Sequence, residues 1–500
     1  MKVFIVGGGP GDEELISLKA IESIEKSDVI IYDHLIPQSL IKFAKKDCIL
    51  EYVGKQPGKH TISQDEINSL ILKYSKEGKT VVRLKGGDPF IFGRGGEECE
   101  FLHQNGIEFE VIPGVSSVYA APAYAGIPLT HRDYVSAFAV ITGSEDPEKE
   151  NLSIDWKSLR NFGTLVFLMG VKNLKKIVDK LSEEGWDPST PCAIIEDGTT
   201  PLQKVVTGEI CNIVKKAEES SVKPPSVLVI GDVVKLRDKI KWFEKKALFG
   251  KKVVVTRAEG DAESLSKLLK REGAYTIEFP TIKVIPSDEK WIEKTVSQIV
   301  KGRKIDFAIF TSKNGVKFFF EQLNKLNGDS RRLSGIAICA VGKSTELELK
   351  KYGISADIVP EKYTTEELLK EIMKYRIRGK QIVTFRSDIS YTDFEEKLRK
   401  KGAKVRRVET YRIVEAAPDE KLISEVMSAD ILTFTSSSSV ENFVKIVGNT
   451  DILKNKITAC IGEVTANAIR RFGAEPTVVS DVSTMEHLVK KLCDYLKSNG

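Results

Sequence analysis

The stretch Val81-Val82-Arg83-Leu84-Lys85-Gly86-Gly87-Asp88-Pro89 constrains the fold more than any other part of the chain. A β-favouring entry, Thr80 to Leu84, runs into paired glycines and then into Asp-Pro. That dipeptide predicts a helix start, with Asp88 as N-cap and Pro89 at the first helical position. Glycines without Cβ atoms let backbone approach a ligand and permit positive φ where a turn needs it. Strand, glycine loop and helix in that order make a cradle at a strand end, where Asp88 can accept hydrogen bonds from a ribose or an amino group. Taken alone, the stretch is equally an ordinary strand-to-helix turn in which Asp88 is only a cap.

The order recurs along the first half. Val3 to Val6 reads as a strand, Gly7-Gly8-Gly9-Pro10-Gly11-Asp12 follows, and Leu15 to Ile24 has helical periodicity. With Gly7 and Gly9 as the first glycines of a dinucleotide fingerprint, the third position is Asp12 and Pro10 interrupts the loop, which disfavours a nicotinamide cofactor. Asp28 to Tyr32 leads to Asp33, and Ile49 to Val53 delivers Gly54-Lys55. Ligands sit at strand ends in open α/β sheets, so Asp33 and Lys55 form a candidate proton-handling pair, although singly they read as a helix cap and a surface lysine. Ile112 to Ser117 and Ala125 to Asp133 are runs of turn and small polar residues. Thr164 to Leu168 is a buried-type strand ending at Met169-Gly170, and Ala193 to Glu196 leads into Asp197-Gly198-Thr199.

After a short charged joint, Lys245 to Lys252, a new α/β pattern starts at Val253. Helix is expected from Ala262 to Glu272 and strand from Tyr275 to Phe279. An internal repeat follows. Asp306-Phe307-Ala308-Ile309-Phe310-Thr311-Ser312 returns as Asp430-Ile431-Leu432-Thr433-Phe434-Thr435-Ser436, and Ile338 to Gly353 returns as Ala459 to Gly473. Two similar lobes with a cleft between them are the natural inference. Each repeat offers a strand, Thr-Ser and a helix start. Ser312 and Ser436 can cap those helices, and helix N-terminal amides beside hydroxyls can also hold a carboxylate. Gly342-Lys343-Ser344 is no P-loop, because the required first glycine falls on Ala337.

Composition closes off other classes. The 500 residues are 41% apolar and 29% charged, which suggests several globular domains, and 76 basic against 71 acidic residues give a net charge of +5, too slight to argue for nucleic acid. Seven cysteines include no Cys-x-x-Cys pair, so neither zinc nor a disulfide framework is indicated and a reducing cytoplasm fits best. Met1 to Val6 enters a strand at once, leaving no expected signal peptide, and no apolar run approaches a membrane span.

Residues 1 to about 244 resemble uroporphyrinogen-III C-methyltransferase through VGGGPGDEELISLKA, YDHL, VGK, VVRLKGGDPFIFGRGGEE, VIPGVSS, AYAGIPLTHRD, LMG, EDGTT and KIKWF. The resemblance implies a two-lobed α/β methyltransferase fold binding S-adenosylmethionine, with contacts from Pro10, Gly86, Gly87, Asp88, Ile91, Ser116, Ser117, Met169 and Gly198. It places the proton acceptor and donor on Asp33 and Lys55, and it implies a homodimer through this half, no metal, and a tetrapyrrole substrate. Arg94 and Arg132 are candidate forks for the carboxylates of that substrate, with structural ion pairs as the alternative. The sirohaem-completing domain that some relatives carry upstream has no counterpart, so that step is not expected of this chain.

Residues 250 to 500 resemble uroporphyrinogen-III synthase through VVVTRA, DFAIFTSKNGVKFF, AVGKST, DIVPEKYTTEELL, ETYRIV and TFTSSSSV…CIGEVTANAI. The implied fold is bilobal, with two flavodoxin-like α/β lobes: one from 250–282 and 412–500, the other from 283–411. Tyr411 falls on the family's catalytic candidate, and Thr345 and Thr465 on cleft threonines, with Val464 where some relatives have threonine. The implied reaction is cofactor-free cyclisation of hydroxymethylbilane. The alternative for this half is a bilobal protein that binds a small anion without turning it over.

Overall fold

Strands and helices that alternate along most of a chain bury their apolar faces in parallel-rich sheets covered by helices on both sides. The computed structural model describes residues 2–54, 62–144, 154–257, 262–287, 289–302, 304–387 and 393–499, and within them it contains four five-stranded sheets. Two compact units result: Met1–Val253 with Lys267–Thr276 and Leu492–Gly500, and Val254–Ser266 with Ile277–Lys491.

The first sheet contains β1 (Val3–Gly7), β2 (Val29–Tyr32), β3 (Ile49–Tyr52), β4 (Val81–Lys85) and β5 (Phe109–Ile112) in the order β3-β2-β4-β1-β5, all parallel. Alternate residues serve opposite faces, as strand geometry requires. Val3, Ile5, Val29, Ile31 and Val81 pack with Ile67, Ile71 and Leu102, whereas Val6, Ile30, Val82 and Leu84 pack with Ala20, Ile24 and Leu40. Because every strand runs the same way, the loops after Gly7, Tyr32, Tyr52 and Lys85 share one rim. The helix expected from Leu15 instead runs Leu18–Lys26, because the Ser17 side chain accepts from the Ala20 amide and so sets the start.

The second sheet contains β6 (Phe138–Thr142), β7 (Thr164–Leu168), β8 (Pro191–Glu196), β9 (Lys204–Glu209) and β10 (Ser226–Ile230) in the order β6-β7-β10-β8-β9. β10 runs antiparallel to both β7 and β8, pairing Val227 with Leu168 and Ser226 with Glu196. That register brings the C-terminal ends of β7 and β8, and hence Met169 and Gly198, to the same end of the sheet.

The remaining strands are β11 (Lys252–Val255), β12 (Tyr275–Glu278), β13 (Ile282–Pro286), β14 (Phe307–Phe310), β15 (Ala337–Ala340), β16 (Gln381–Ser387), β17 (Lys404–Glu415), β18 (Ile431–Phe434), β19 (Ile457–Cys460) and β20 (Val478–Val479). One sheet has the order β12-β11-β18-β19-β20, the flavodoxin-like pattern. The other, β13-β17-β16-β14-β15, contains β15-β14-β16-β17 as a counterpart of β19-β18-β11-β12, with β13 added antiparallel beyond β17. The sequence repeat is thus a repeat of structure. β14 leads to the helix Lys313–Lys325 and β15 to Lys343–Lys351, as β18 leads to Ser437–Val447 and β19 to Glu463–Arg471.

The core beside β14 is aromatic. Phe310 stacks on Phe385 with centroids 4.8 Å apart, and Phe319 meets Phe310 at 5.4 Å, Phe385 at 4.8 Å and Phe320 at 5.1 Å, with all four rings buried. Phe319→Ala removes the ring that touches the other three, and we expect a loss of about 3–5 kcal/mol. Equilibrium urea unfolding of the purified chain should show the corresponding transition at lower denaturant.

Candidate functional site

The rim of the first sheet is built by backbone in contact with backbone. A Cβ on Gly114 would lie 2.2 Å from the Gly87 carbonyl oxygen and 2.7 Å from the Gly7 Cα, and one on Gly7 would lie 2.5 Å from the Gly114 nitrogen. No side chain fits at either position. Gly8 donates its amide to Lys85 O at 2.7 Å, and Gly87 donates to Gly9 O at 2.7 Å, so the glycine loops after β1 and β4 are stitched together. Asp88 completes the tie by accepting from the Gly114 amide at 3.0 Å and from the Phe90 amide at 2.8 Å.

Asp88 does not cap a helix. The next helix is Gly95–Gln104, and the intervening residues form turns in which Phe92 (φ 53°) and Arg94 (φ 61°) are left-handed and the Gly95 amide returns to Pro89 O. The aspartate caps a turn instead, and this turn displays Phe90, Ile91 and Phe92 as exposed apolar side chains. Ser116 is the N-cap of the helix Ser117–Tyr124, its side chain accepting from the Val118 amide at 3.3 Å. The start of that helix faces the glycines: the Ser117 nitrogen is 3.9 Å from where a Gly87 Cβ would be. Further along, Ala121 packs against Gly198, whose own Cβ would approach it to 2.4 Å. The same helix therefore joins the loops of the first sheet to the loop after β8. A second tie is made by Thr199, which accepts from the Asp12 amide at 3.0 Å, while Tyr124 donates to Asp12 at 2.7 Å.

Pro10 lies in the β1 loop, and Met169, half exposed and left-handed at φ 58°, directly follows β7. Burial raises the carboxyl of Asp197, next to Gly198, above the usual range, with Glu196 adding to it. Gly86, Gly87, Asp88, Ser116, Ser117 and Gly198 are thus brought together through their loops and the helix Ser117–Tyr124. Asp33 follows β2, next to β4, and is held by Arg83 at 3.3 Å and by the Leu35 amide at 3.0 Å. Lys55 lies outside the described residues, so the cation seen on Asp33 is Arg83. Arg94 is engaged as a fork on Glu97, with contacts of 2.6–3.0 Å, at an exposed position. Arg132 is exposed in the turn His131–Val135.

In the second unit, both Thr-Ser motifs cap helices. Ser312 accepts from the Gly315 amide at 3.1 Å and Ser436 from the Ser439 amide at 3.1 Å. Tyr411, on β17 and only 6% exposed, brings its hydroxyl to 2.9 Å from the Ser312 hydroxyl and stacks on Phe318. Thr345 and Thr465 occupy matching places in the first turns after Gly342 and Gly462, but their side chains are 2% and 4% exposed. The surface over those turns belongs to neighbours instead, among them Val464, 78% exposed.

A family model described as Tetrapyrrole (Corrin/Porphyrin) Methylases matches residues 2–213, and one described as Uroporphyrinogen-III synthase HemD matches residues 263–490. A Ruminiclostridium josui protein named "Porphyrin biosynthesis protein HemD" is 37% identical over 497 residues, which cover 98% of this chain and 97% of the relative. The chain belongs to both families, methylase first and synthase second. The methylase half is also 50% identical to the Methanosarcina barkeri "S-adenosyl-L-methionine-dependent uroporphyrinogen III methyltransferase", over 47% of this chain and 93% of that one. It is 48% identical to a Methanocaldococcus jannaschii "Uroporphyrinogen-III C-methyltransferase", over 47% of this chain and 98% of that one. A purely anion-binding second half is not favoured by a synthase model matching that half.

The sequence reading of the methylase half weighed Gly7 only as part of a dinucleotide fingerprint and gave no role to Gly114 or Arg83. A charged residue between the apolar Val82 and Leu84 of a buried strand was the available signal for the arginine. Gly114→Ala should push the two glycine loops apart and destabilise the methylase half by about 1–3 kcal/mol. Hydrogen exchange should show the Gly8 and Gly87 amides losing protection in this variant before the β1 and β4 amides do.

Proposed function

We propose that the synthase half converts hydroxymethylbilane to uroporphyrinogen III and that the methylase half methylates it twice with S-adenosylmethionine, giving precorrin-2 for sirohaem and cobalamin synthesis. The observation that carries this reading is the succession of both family models on a chain that one relative matches almost end to end. Two consecutive steps on one chain support each other. We assign the methylase to residues 1–244 and the synthase to 250–500, with lobes of 250–282 plus 412–500 and of 283–411.

The glycine cradle fits an adenosyl group at Gly87, where a Cβ would have only the Ser117 nitrogen within 4 Å, at 3.9 Å, so that space is left beside the start of the helix Ser117–Tyr124. Gly86, Gly87, Asp88, Ser116 and Ser117 would hold it from one side, with Pro10 and Ile91 beside them, and Met169 and Gly198 from the other. When bound, S-adenosylmethionine supplies an electrophilic sulfonium methyl. The exposed apolar side chains of Phe90, Ile91 and Met169 are suited to covering the reacting carbon and excluding water. A macrocycle carbon that gains a methyl must be followed by loss of a proton, and Asp33 is assigned as its acceptor, with Lys55 as donor. Arg132 is available for a substrate carboxylate, and Arg94 becomes so on exchanging Glu97 for substrate.

The synthase reaction needs no cofactor: the linear tetrapyrrole loses water, its last ring inverts, and the macrocycle closes. The helix starts at Ser312 and Ser436 present backbone amides to substrate carboxylates, with Thr345 and Thr465 behind them. Tyr411 sets its hydroxyl against Ser312 as the assigned catalytic group. The reading includes a homodimer through the methylase half and a cytoplasmic location. All seven cysteines are free, and no described helix is long and apolar enough to cross a membrane.

Product analysis tests the whole reading. Hydroxymethylbilane alone should give uroporphyrinogen III, and adding S-adenosylmethionine should carry it to a dimethylated product. Since the linear substrate closes unaided to the type I isomer, the deciding quantity is the type III fraction above an enzyme-free control. No rise in that fraction would overturn the synthase assignment. Asp88→Ala releases the Gly114 and Phe90 amides together, so S-adenosylhomocysteine should bind it roughly tenfold or more weakly in calorimetry. Unchanged affinity in a folded variant would remove Asp88 from the site.

A further inference from the structure

Beneath the methylase rim lies a group of charges that the chemistry above does not use. Arg83 and Lys85 project from β4, and Glu98 from the helix Gly95–Gln104; they are 4%, 5% and 0% exposed. One oxygen of Glu98 receives three donors: Lys85 Nζ at 2.8 Å, Gln64 Nε2 at 3.1 Å and Arg83 Nε at 3.3 Å. Its other oxygen is buried without a hydrogen-bond partner among the described residues. Burial, together with the like charge of Arg83, pulls the Lys85 ammonium below the usual lysine range. Removing such ions from water costs several kcal/mol each, and well-packed apolar groups in their place often give a more stable protein. A role in stability is therefore a poor explanation for the group.

Its geometry points outward to the rim. The guanidinium of Arg83 is used in three directions: Nε to Glu98, Nη1 to the carbonyls of Ile31 at 3.3 Å and Leu84 at 3.0 Å, and Nη2 to Asp33 Oδ2 at 3.3 Å. The two carbonyls belong to the paired strands β2 and β4, so the ion is fixed to the scaffold whose ends carry Asp33 and Gly86. A rigid planar fork can satisfy all these partners together, whereas an ammonium on a flexible stem cannot. The Leu35 amide fixes Asp33 Oδ1, which leaves Arg83 to fix the rotation of the carboxylate about its stem. With Asp33 counted beside the group, two cations, Arg83 and Lys85, face two carboxylates, Glu98 and Asp33.

We propose that Arg83, anchored by Glu98, is a positioning residue for methyl transfer: it presets the Asp33 carboxylate toward the carbon that must lose its proton. This rests on the assignment of Asp33 as proton acceptor. Glu98 serves the reaction at one remove, by keeping the guanidinium in the plane that reaches Asp33.

A double-mutant cycle on the full chain tests it, with single-turnover methyl transfer to uroporphyrinogen III as one readout and S-adenosylhomocysteine affinity by calorimetry as the other. Arg83→Met should slow methyl transfer roughly tenfold or more, while the affinity stays within about twofold. In an Asp33→Asn background, Arg83→Met should slow it no further. Arg83→Lys, which keeps the charge but not the fork, should recover part of the rate; it also serves as the test variant if Arg83→Met fails to bind S-adenosylhomocysteine. Equal slowing by Arg83→Met with and without Asp33 would overturn the inference alone, as would an unchanged single-turnover rate. An undiminished rate in Asp33→Asn would instead remove the assignment of Asp33, and the inference with it.

Discussion

Three backbone segments meeting without side chains are the constraint on which the methylase half depends. Where Gly7 and Gly114 meet each other and the Gly87 carbonyl, a methyl group on either of the first two would overlap main-chain atoms. Main chain cannot rotate aside as a side chain can, so the loops after β1, β4 and β5 are locked in one arrangement. Asp88 exploits this lock. Its carboxylate joins the second of those loops to the third, and the helix Ser117–Tyr124 then carries the connection across to Gly198. The shape of the site follows from residues that do no chemistry themselves.

The synthase half reaches a comparable result by duplication. Each lobe places a hydroxyl cap at the start of a helix that follows a buried strand, at Ser312 and at Ser436. Capping satisfies one orphan amide and leaves others in the first turn to face outward. Stability of the helix start and the capacity to receive an anion are thus two consequences of one local design. Ser312 has the Tyr411 hydroxyl against it and Ser436 the Ser438 hydroxyl, so the lobes are alike in scaffold and differ in what lies beside the cap.

Much of this was legible in the residue order because strands and glycine turns are encoded locally. Thr164 to Leu168 is observed with the limits expected of it, and the Thr-Ser repeats form the two strand-to-helix turns they suggest. The helix start at Asp88 was misread for a physical reason: Phe92 and Arg94 adopt a backbone conformation that their side chains disfavour, and only the surrounding contacts select it. The long-range pairings were likewise hidden. Arg83 meets a carboxylate 50 positions away, and Tyr411 a hydroxyl 99 positions away, distances over which sequence periodicity carries no signal. Asp88 and the pair Asp33 and Lys55 were singled out by their places at strand ends, whereas the other expected cofactor contacts, and the acceptor role proposed for Asp33, came from resemblance to a family.

Phe92, Arg94, Met169, Asp197 and Thr199 all have positive φ without being glycine, and all lie in loops around the methylase site. Such a residue costs about 1–2 kcal/mol relative to an unstrained one. Glycine at these positions would relieve the strain and remove the side chain in the same step. Backbone strain in this half is therefore concentrated at the rim, and an effort to raise stability by relaxing backbone would meet the site first. Heat resistance gained elsewhere in the fold would leave the working loops as they are.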